Sequence, residues 1–240
     1  MLRHITGRAN AQPKGASSRY GVNHALRKAA FALLAGFTLA GGLTGALAEQ
    51  AAAEMRVVAL GDSLTHGYGL AQEDGFAPQL EAWLRANGAP DAVVVNAGVS
   101  GDTTAGGLAR FDWSVGGGAD AVIVELGGND LLRAIDPAAS RANLDGILAK
   151  ATAKDLPVLL TGMKAPLNYG PDFKTAFDAM YPELAAKHGA LFDPFFLEGL
   201  VGDQALFQPD GIHPNAAGVK KLVARFGPLV LDLIARARSH

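Results

Sequence analysis

Three short runs of aliphatic and β-branched residues, Arg56–Leu60, Ala92–Val95 and Ala121–Leu126, constrain the fold of this chain most. Each is nearly continuously apolar, a pattern that suits strands of a parallel sheet buried on both faces. Between them lie stretches with helical spacing, among them Phe76, Leu80, Trp83 and Leu84 at i, i+4, i+7 and i+8. Strands alternating with helices predict an α/β fold with a doubly wound sheet. Leu144, Ile147 and Leu148 mark a further helix, Pro157–Leu160 a fourth strand and Ala190–Phe192 a short fifth. Five strands in flavodoxin-like order are sufficient. A last helix carries Val219, Leu222, Val223 and Phe226 on one face and then meets Gly227-Pro228, where a kink or restart is expected.

In such sheets ligands bind beyond the carboxyl ends of the strands, where strand order reverses. A polar or glycine-rich block begins where each of the first three apolar runs stops: Gly61-Asp62-Ser63-Leu64, Asn96–Asp102 and Gly127–Asp130. A 2-1-3 order brings all three to one edge. A neutral serine hydroxyl is a poor nucleophile and needs a base within hydrogen-bond reach, itself oriented by a third group. Ser63, His213 and Asp210, three residues before the histidine, fit those roles. Acyl transfer also needs donors for an oxyanion. Ser63 N–H, the N–H of Gly101, which lacks a Cβ, and the Asn129 side-chain amide supply three.

In this order and these sequence contexts, Ser63, Gly101, Asn129 and His213 resemble the four blocks of the SGNH (GDSL) hydrolases. The likeness is to the bacterial arylesterase, thioesterase I and lysophospholipase branch. It is carried by Leu60–Tyr68, Ser100–Thr104, Val124–Asp130 and Gln208–Asn215, and runs from about Arg56 to Val230. The resemblance implies a three-layer α/β/α fold with a five-stranded parallel sheet, hydrolysis of esters or thioesters through an acyl-enzyme, and no metal or other cofactor. The substrate expected is a small acyl or aryl ester, with thioesters and lysophospholipids also in range. One departure is Leu131, where this branch leads one to expect glycine; its bulk beside the oxyanion loop reshapes the acyl pocket. Met163–Gly170 forms a loop at the same sheet edge, so Leu131, Leu132, Met163 and Tyr169 are the candidate acyl or aryl contacts.

Structural roles compete at several positions. Gly-Asp-Ser also punctuates strand-to-helix turns, with Asp or Ser capping the helix. Asp102 and Thr103 read as an N-cap. His66 lies close to Ser63 but has no carboxylate placed to orient it, so it reads as a groove histidine. His188 reads as a helix C-terminal residue, and His213-Pro214 as the start of a helix. Two other function classes fit the same fold: a carbohydrate esterase removing acetyl groups from cell-envelope polysaccharide, and a ligand-binding module without catalysis. The latter is expected to have lost a member of the constellation, and none is missing.

Residues 1–48 differ in kind. They contain six Lys or Arg and no Asp or Glu, and end in the apolar stretch Ala29–Ala48 closing with Ala46-Leu47-Ala48. That is the pattern of a cleavable secretory signal, with cleavage expected after Ala48 or, second, after Ala53. The segment exceeds the usual ~15–30 residues, and initiation at Val22 would bring it within that range. Its glycines and threonines weaken it as a permanent membrane anchor, so a periplasmic or secreted enzyme is expected. With no cysteine in the chain, neither disulfides nor a lipidated cysteine apply. Beyond Ala48 the chain holds 15 basic and 23 acidic side chains, a formal net charge of −8. That balance argues against nucleic acid as a partner. Residues 55–238 read as one hydrolase domain.

Overall fold

The computed structural model describes residues 54–239, so the expected signal segment and its cleavage sites lie outside the described residues. Five parallel strands, β1 (Met55–Gly61), β2 (Ala92–Gly98), β3 (Ala121–Glu125), β4 (Val158–Thr161) and β5 (Leu191–Asp193), form one sheet in the order β2-β1-β3-β4-β5. The helices are α1 (Ser63–His66), α2 (Phe76–Ala86), α3 (Thr104–Val115), α4 (Gly128–Leu132), α5 (Pro137–Thr152), α6 (Pro171–His188) and α7 (Ala216–Arg238).

The alternation of side chains along each strand divides the interior into two cores. Val57, Ala59, Ala121, Ile123 and Leu159 face α2 and α7, packing against Leu80, Leu84, Leu222, Phe226 and Val230. Val58, Leu60, Val122, Val124 and Leu160 face α3, α5 and α6, against Phe111, Ile147, Leu148, Phe177 and Leu184. This is the three-layer α/β/α arrangement, and it explains the nearly continuous apolar runs within the strands. Val57, Val58 and Leu60 of β1 are each at most 2 % exposed. Complete burial of one such side chain contributes about 1.5–3 kcal/mol.

Two sequence expectations are corrected. β2 continues through Asn96, Ala97 and Gly98, which read as loop, because their partners Ala59, Leu60 and Gly61 in β1 extend the ladder past the apolar run. Gly227-Pro228 does not restart the last helix: α7 is a single element of 23 residues with Pro228 inside it. A proline within a helix costs about 3 kcal/mol. That cost is offset by Val223, Phe226, Val230, Leu233 and Ile234, all buried on one face. Gly227 belongs to the same packing, since a Cβ there would stand 2.3 Å from Trp83 Cε3.

The strand register sets up the site. Gly61 is level with Gly98 on one side and with Glu125 on the other, Glu125 with Thr161, and Thr161 with Asp193. The carboxyl ends of all five strands therefore share one row, and the segments that follow them emerge together.

Candidate active site

The turn after β1 places Ser63. Asp62 caps α1, its Oδ1 accepting the Leu64 N–H at 3.0 Å, so Ser63 is the first residue of a helix. A first-turn N–H has no intrahelical acceptor, and that of Ser63 is thus available at the cleft. The capping role and the candidate nucleophile coexist in one turn.

The segment between β5 and α7 brings the histidine across. His213 Nε2 lies 2.9 Å from Ser63 Oγ, and His213 Nδ1 lies 2.7 Å from Asp210 Oδ2. Asp210 Oδ1 also accepts the backbone N–H groups of Ile212 at 2.9 Å and His213 at 3.0 Å. The His213 N–H, its ring and the Ile212 N–H together draw the Asp210 carboxyl down to about 2. An ionised Asp210 favours the tautomer with the proton on Nδ1, which leaves Nε2 free to accept from the serine. Pro214 does not open the last helix as expected. Asn215 is its N-cap, accepting the Gly218 N–H at 3.0 Å, and the His213 segment is held instead by Gln208. That residue donates its N–H to His213 O at 2.7 Å and its side-chain amide to Tyr68 O at 2.7 Å and Pro214 O at 3.1 Å.

Gly101 follows β2 in the left-handed region, φ 82°, where glycine carries no Cβ penalty. Its carbonyl accepts from Arg133 at 2.8 Å. Arg110 of α3 bonds Asp102 Oδ2 at 2.7 Å, Ala97 O at 2.7 Å and Gly61 O at 2.8 Å, tying the ends of β1 and β2 to the Gly101 loop. Thr103 caps α3 as expected. Asn129 lies in α4, and its Nδ2 donates to Asp62 Oδ2 at 3.1 Å, leaving its second N–H for the cleft. The neighbouring Asp130 is buried and fully engaged, accepting from Thr104 N–H at 2.8 Å, Thr104 Oγ1 at 2.5 Å and Ser140 Oγ at 2.8 Å.

A cavity of about 280 Å³ opens over these groups, lined by Ser63, Gly101, Asn129 and His213 with apolar walls from Leu64, Leu131, Leu132, Met163, Leu197 and Ile212. Three of the four apolar contacts expected from sequence are therefore brought together. The fourth, Tyr169, is not part of this wall. It sits in a 3-10 turn with its ring 5.0 Å from that of Phe173, turned toward α6. Tyr68 lines the cleft instead, half exposed, its ring 4.7 Å from the His213 imidazole. Its place in the serine block was visible in the sequence, but its contact with a residue so far along the chain was not. His66 bonds Ser100 Oγ at 3.0 Å through Nδ1, away from Ser63. His188 bonds Asp145 of α5 at 2.6 Å, and Gly189 takes the C-cap.

The model of the GDSL-like lipase/acylhydrolase family matches residues 59–221. Esterase TesA from Pseudomonas aeruginosa is 41% identical over 197 residues, covering 82% of this chain and 98% of that protein. The thioesterase 1/protease 1/lysophospholipase L1 of Escherichia coli is 38% identical over 179 residues, covering 70% and 80%. Among solved structures, the SGNH-hydrolase family esterase AlinE4 is 44% identical with a TM-score of 0.64, covering 75% of this chain and 96% of that one.

Proposed function

The chain belongs to the GDSL-like lipase/acylhydrolase family and is a carboxylic ester hydrolase, and on that premise we propose that it cleaves small acyl or aryl esters through an acyl-Ser63 intermediate. The observation that carries this mechanism is the unbroken line Asp210–His213–Ser63, with hydrogen bonds of 2.7 and 2.9 Å, opening onto a cleft that also holds Gly101 and Asn129. His213 Nε2 takes the Ser63 proton as Oγ attacks the acyl carbonyl. The oxyanion rests on the N–H groups of Ser63 and Gly101 and on Asn129 Nδ2. His213 then protonates the departing alcohol, and a water activated by the same imidazole attacks the acyl-serine and releases the acid. Asp210 orients the imidazole throughout.

Substrate size follows from the cleft. At about 280 Å³ it is at the small end of ligand pockets, which run from about 300 to 1,000 Å³, and its walls are mostly aliphatic. Short acyl or aryl groups fit that space better than an extended polysaccharide. Thioesters and lysophospholipids present the same acyl carbonyl and are secondary substrates. Among the described residues no helix is long and apolar enough to cross a membrane. The basic and apolar pattern of residues 1–48 supports export to the periplasm or beyond. The test is a series of p-nitrophenyl esters of increasing acyl length, with Ser63→Ala as control. Hydrolysis abolished in the variant supports the serine mechanism; wild-type rates in the variant would overturn it.

A further inference from the structure

At the carboxyl end of β3, Glu125 takes no part in the chemistry assigned to Ser63, His213 and Asp210, yet it is completely buried against the turn that carries Ser63. Its Oε2 accepts the Thr65 hydroxyl at 2.8 Å and the Asp62 backbone N–H at 3.3 Å. Its Oε1 is buried without a hydrogen-bond partner among the described residues. An orphaned buried carboxyl oxygen costs free energy, so the side chain needs a reason beyond filling space. The socket exists because residue 61 is glycine: a Cβ there would lie 2.0 Å from Thr65 Oγ1 and 2.7 Å from Glu125 Oε2. The two groups that Glu125 holds flank Ser63, one on the residue before it and one two residues after.

We propose that Glu125 is a positioning residue for the oxyanion site: by holding the Asp62 N–H and the Thr65 hydroxyl it fixes the turn that aims Ser63 and sets Asp62 against the Asn129 amide. It does so as a neutral acid. Burial pushes the Glu125 carboxyl well above the ordinary range, and the neighbouring Asp62 charge adds to the rise. Burial also raises Asp62, but the Leu64 N–H and the Asn129 amide oppose that rise. The negative charge of the pair therefore rests on Asp62, and the proton on Glu125. An anionic Asp62 can only accept, so it selects the Asn129 rotamer that turns nitrogen rather than oxygen toward the Ser63 side of the cleft. Asp130 is the contrast within the same loop: three donors satisfy its two oxygens, and neither is left without a partner.

This role rests on the serine mechanism proposed above. The experiment measures kcat and KM on a p-nitrophenyl ester near neutral pH for the full chain and for Glu125→Ala, Glu125→Gln, Thr65→Val and Ser63→Ala. Glu125→Ala is expected to lower kcat by on the order of 100-fold at nearly unchanged KM, the effect of displacing catalytic groups by about 1 Å. Glu125→Gln, neutral and isosteric, is expected to restore kcat close to wild type. Should the alanine variant not fold, Thr65→Val removes only the hydroxyl donor and is expected to lower kcat about fivefold to tenfold, the rate equivalent of one hydrogen bond. An unchanged kcat in the folded variants, a loss confined to KM, or a glutamine variant as impaired as the alanine one would overturn the positioning role. Activity persisting in Ser63→Ala would instead sink the mechanism beneath it.

Discussion

Replacing Asn129 by alanine separates two functions of a single amide. One Nδ2 hydrogen faces the cleft and the other is bonded to Asp62 Oδ2 at 3.1 Å. Loss of one oxyanion donor lowers kcat by about 100- to 1000-fold, or roughly 2.7–4 kcal/mol in the barrier. The stability cost has a different origin. Asp62 is 2 % exposed, and in the variant its Oδ2 loses the Asn129 amide while its Oδ1 keeps the Leu64 N–H; depriving a buried acceptor of a partner costs about 1–3 kcal/mol. Asn129 borders the cleft, so water can replace the lost amide and the low end applies. For a domain of this size about 1 kcal/mol corresponds to a Tm shift of roughly 2–4 °C. The assay pairs steady-state kinetics on a short p-nitrophenyl ester with thermal melts of the same preparations. A large fall in kcat with unchanged KM and a small Tm shift is expected. A rise in KM at constant kcat would mean that Asn129 binds ester and transition state alike, and would refute its place in the oxyanion hole.

Asp210→Ala should retain roughly 10- to 100-fold more activity than Ser63→Ala, since an orienting carboxylate contributes less than the nucleophile in comparable triads; equal loss in both would contradict that division. Asp210 has a lowered folded-state pKa of about 2, so its stabilising contribution is present above the ordinary carboxylate range and disappears as pH falls through about 2. Urea midpoints of wild type and Asp210→Asn should accordingly converge toward pH 2, and a constant gap would count against the assignment. Leu131→Ala enlarges the cleft beside Asn129, and relative kcat/KM for longer acyl chains should rise about tenfold or more; an unchanged chain-length profile would remove Leu131 from the acyl wall. Gly61→Ala forces a Cβ against Thr65 and Glu125, so a loss of about 1–3 kcal/mol with a depressed kcat is expected, measured by melting and turnover together.

Much of this molecule is legible in its sequence. The three apolar runs became β1, β2 and β3: the middle positions of β1 and β3 are buried between two helical layers, while β2, at the sheet edge, is only partly buried. The 2-1-3 order was only a condition for the three loops to meet, and the sheet order β2-β1-β3 meets it. Ser63, Gly101, Asn129, Asp210 and His213, chosen in the sequence for residue type and local context, are brought to one place by the fold. Some features could not be read locally. Pro228 signals a kink or restart, and α7 does not restart because its buried face offsets the missing hydrogen bond. Tyr169 and Tyr68 are alike as sequence, and only packing turns one toward Phe173 and the other toward His213.

The sequence by itself determined the layer arrangement and the reactive groups, since burial pattern and side-chain chemistry are properties of short segments. Tertiary structure alone decided the pairwise relations. The Ser63–His213 hydrogen bond joins residues 150 positions apart, and Glu125 reaches Thr65 across 60. Whether Glu125 lies in water or under the Ser63 turn, and so whether its carboxyl keeps the ordinary range or is pushed well above it, depends on strand register, because desolvation and neighbouring charge act through space and not along the chain.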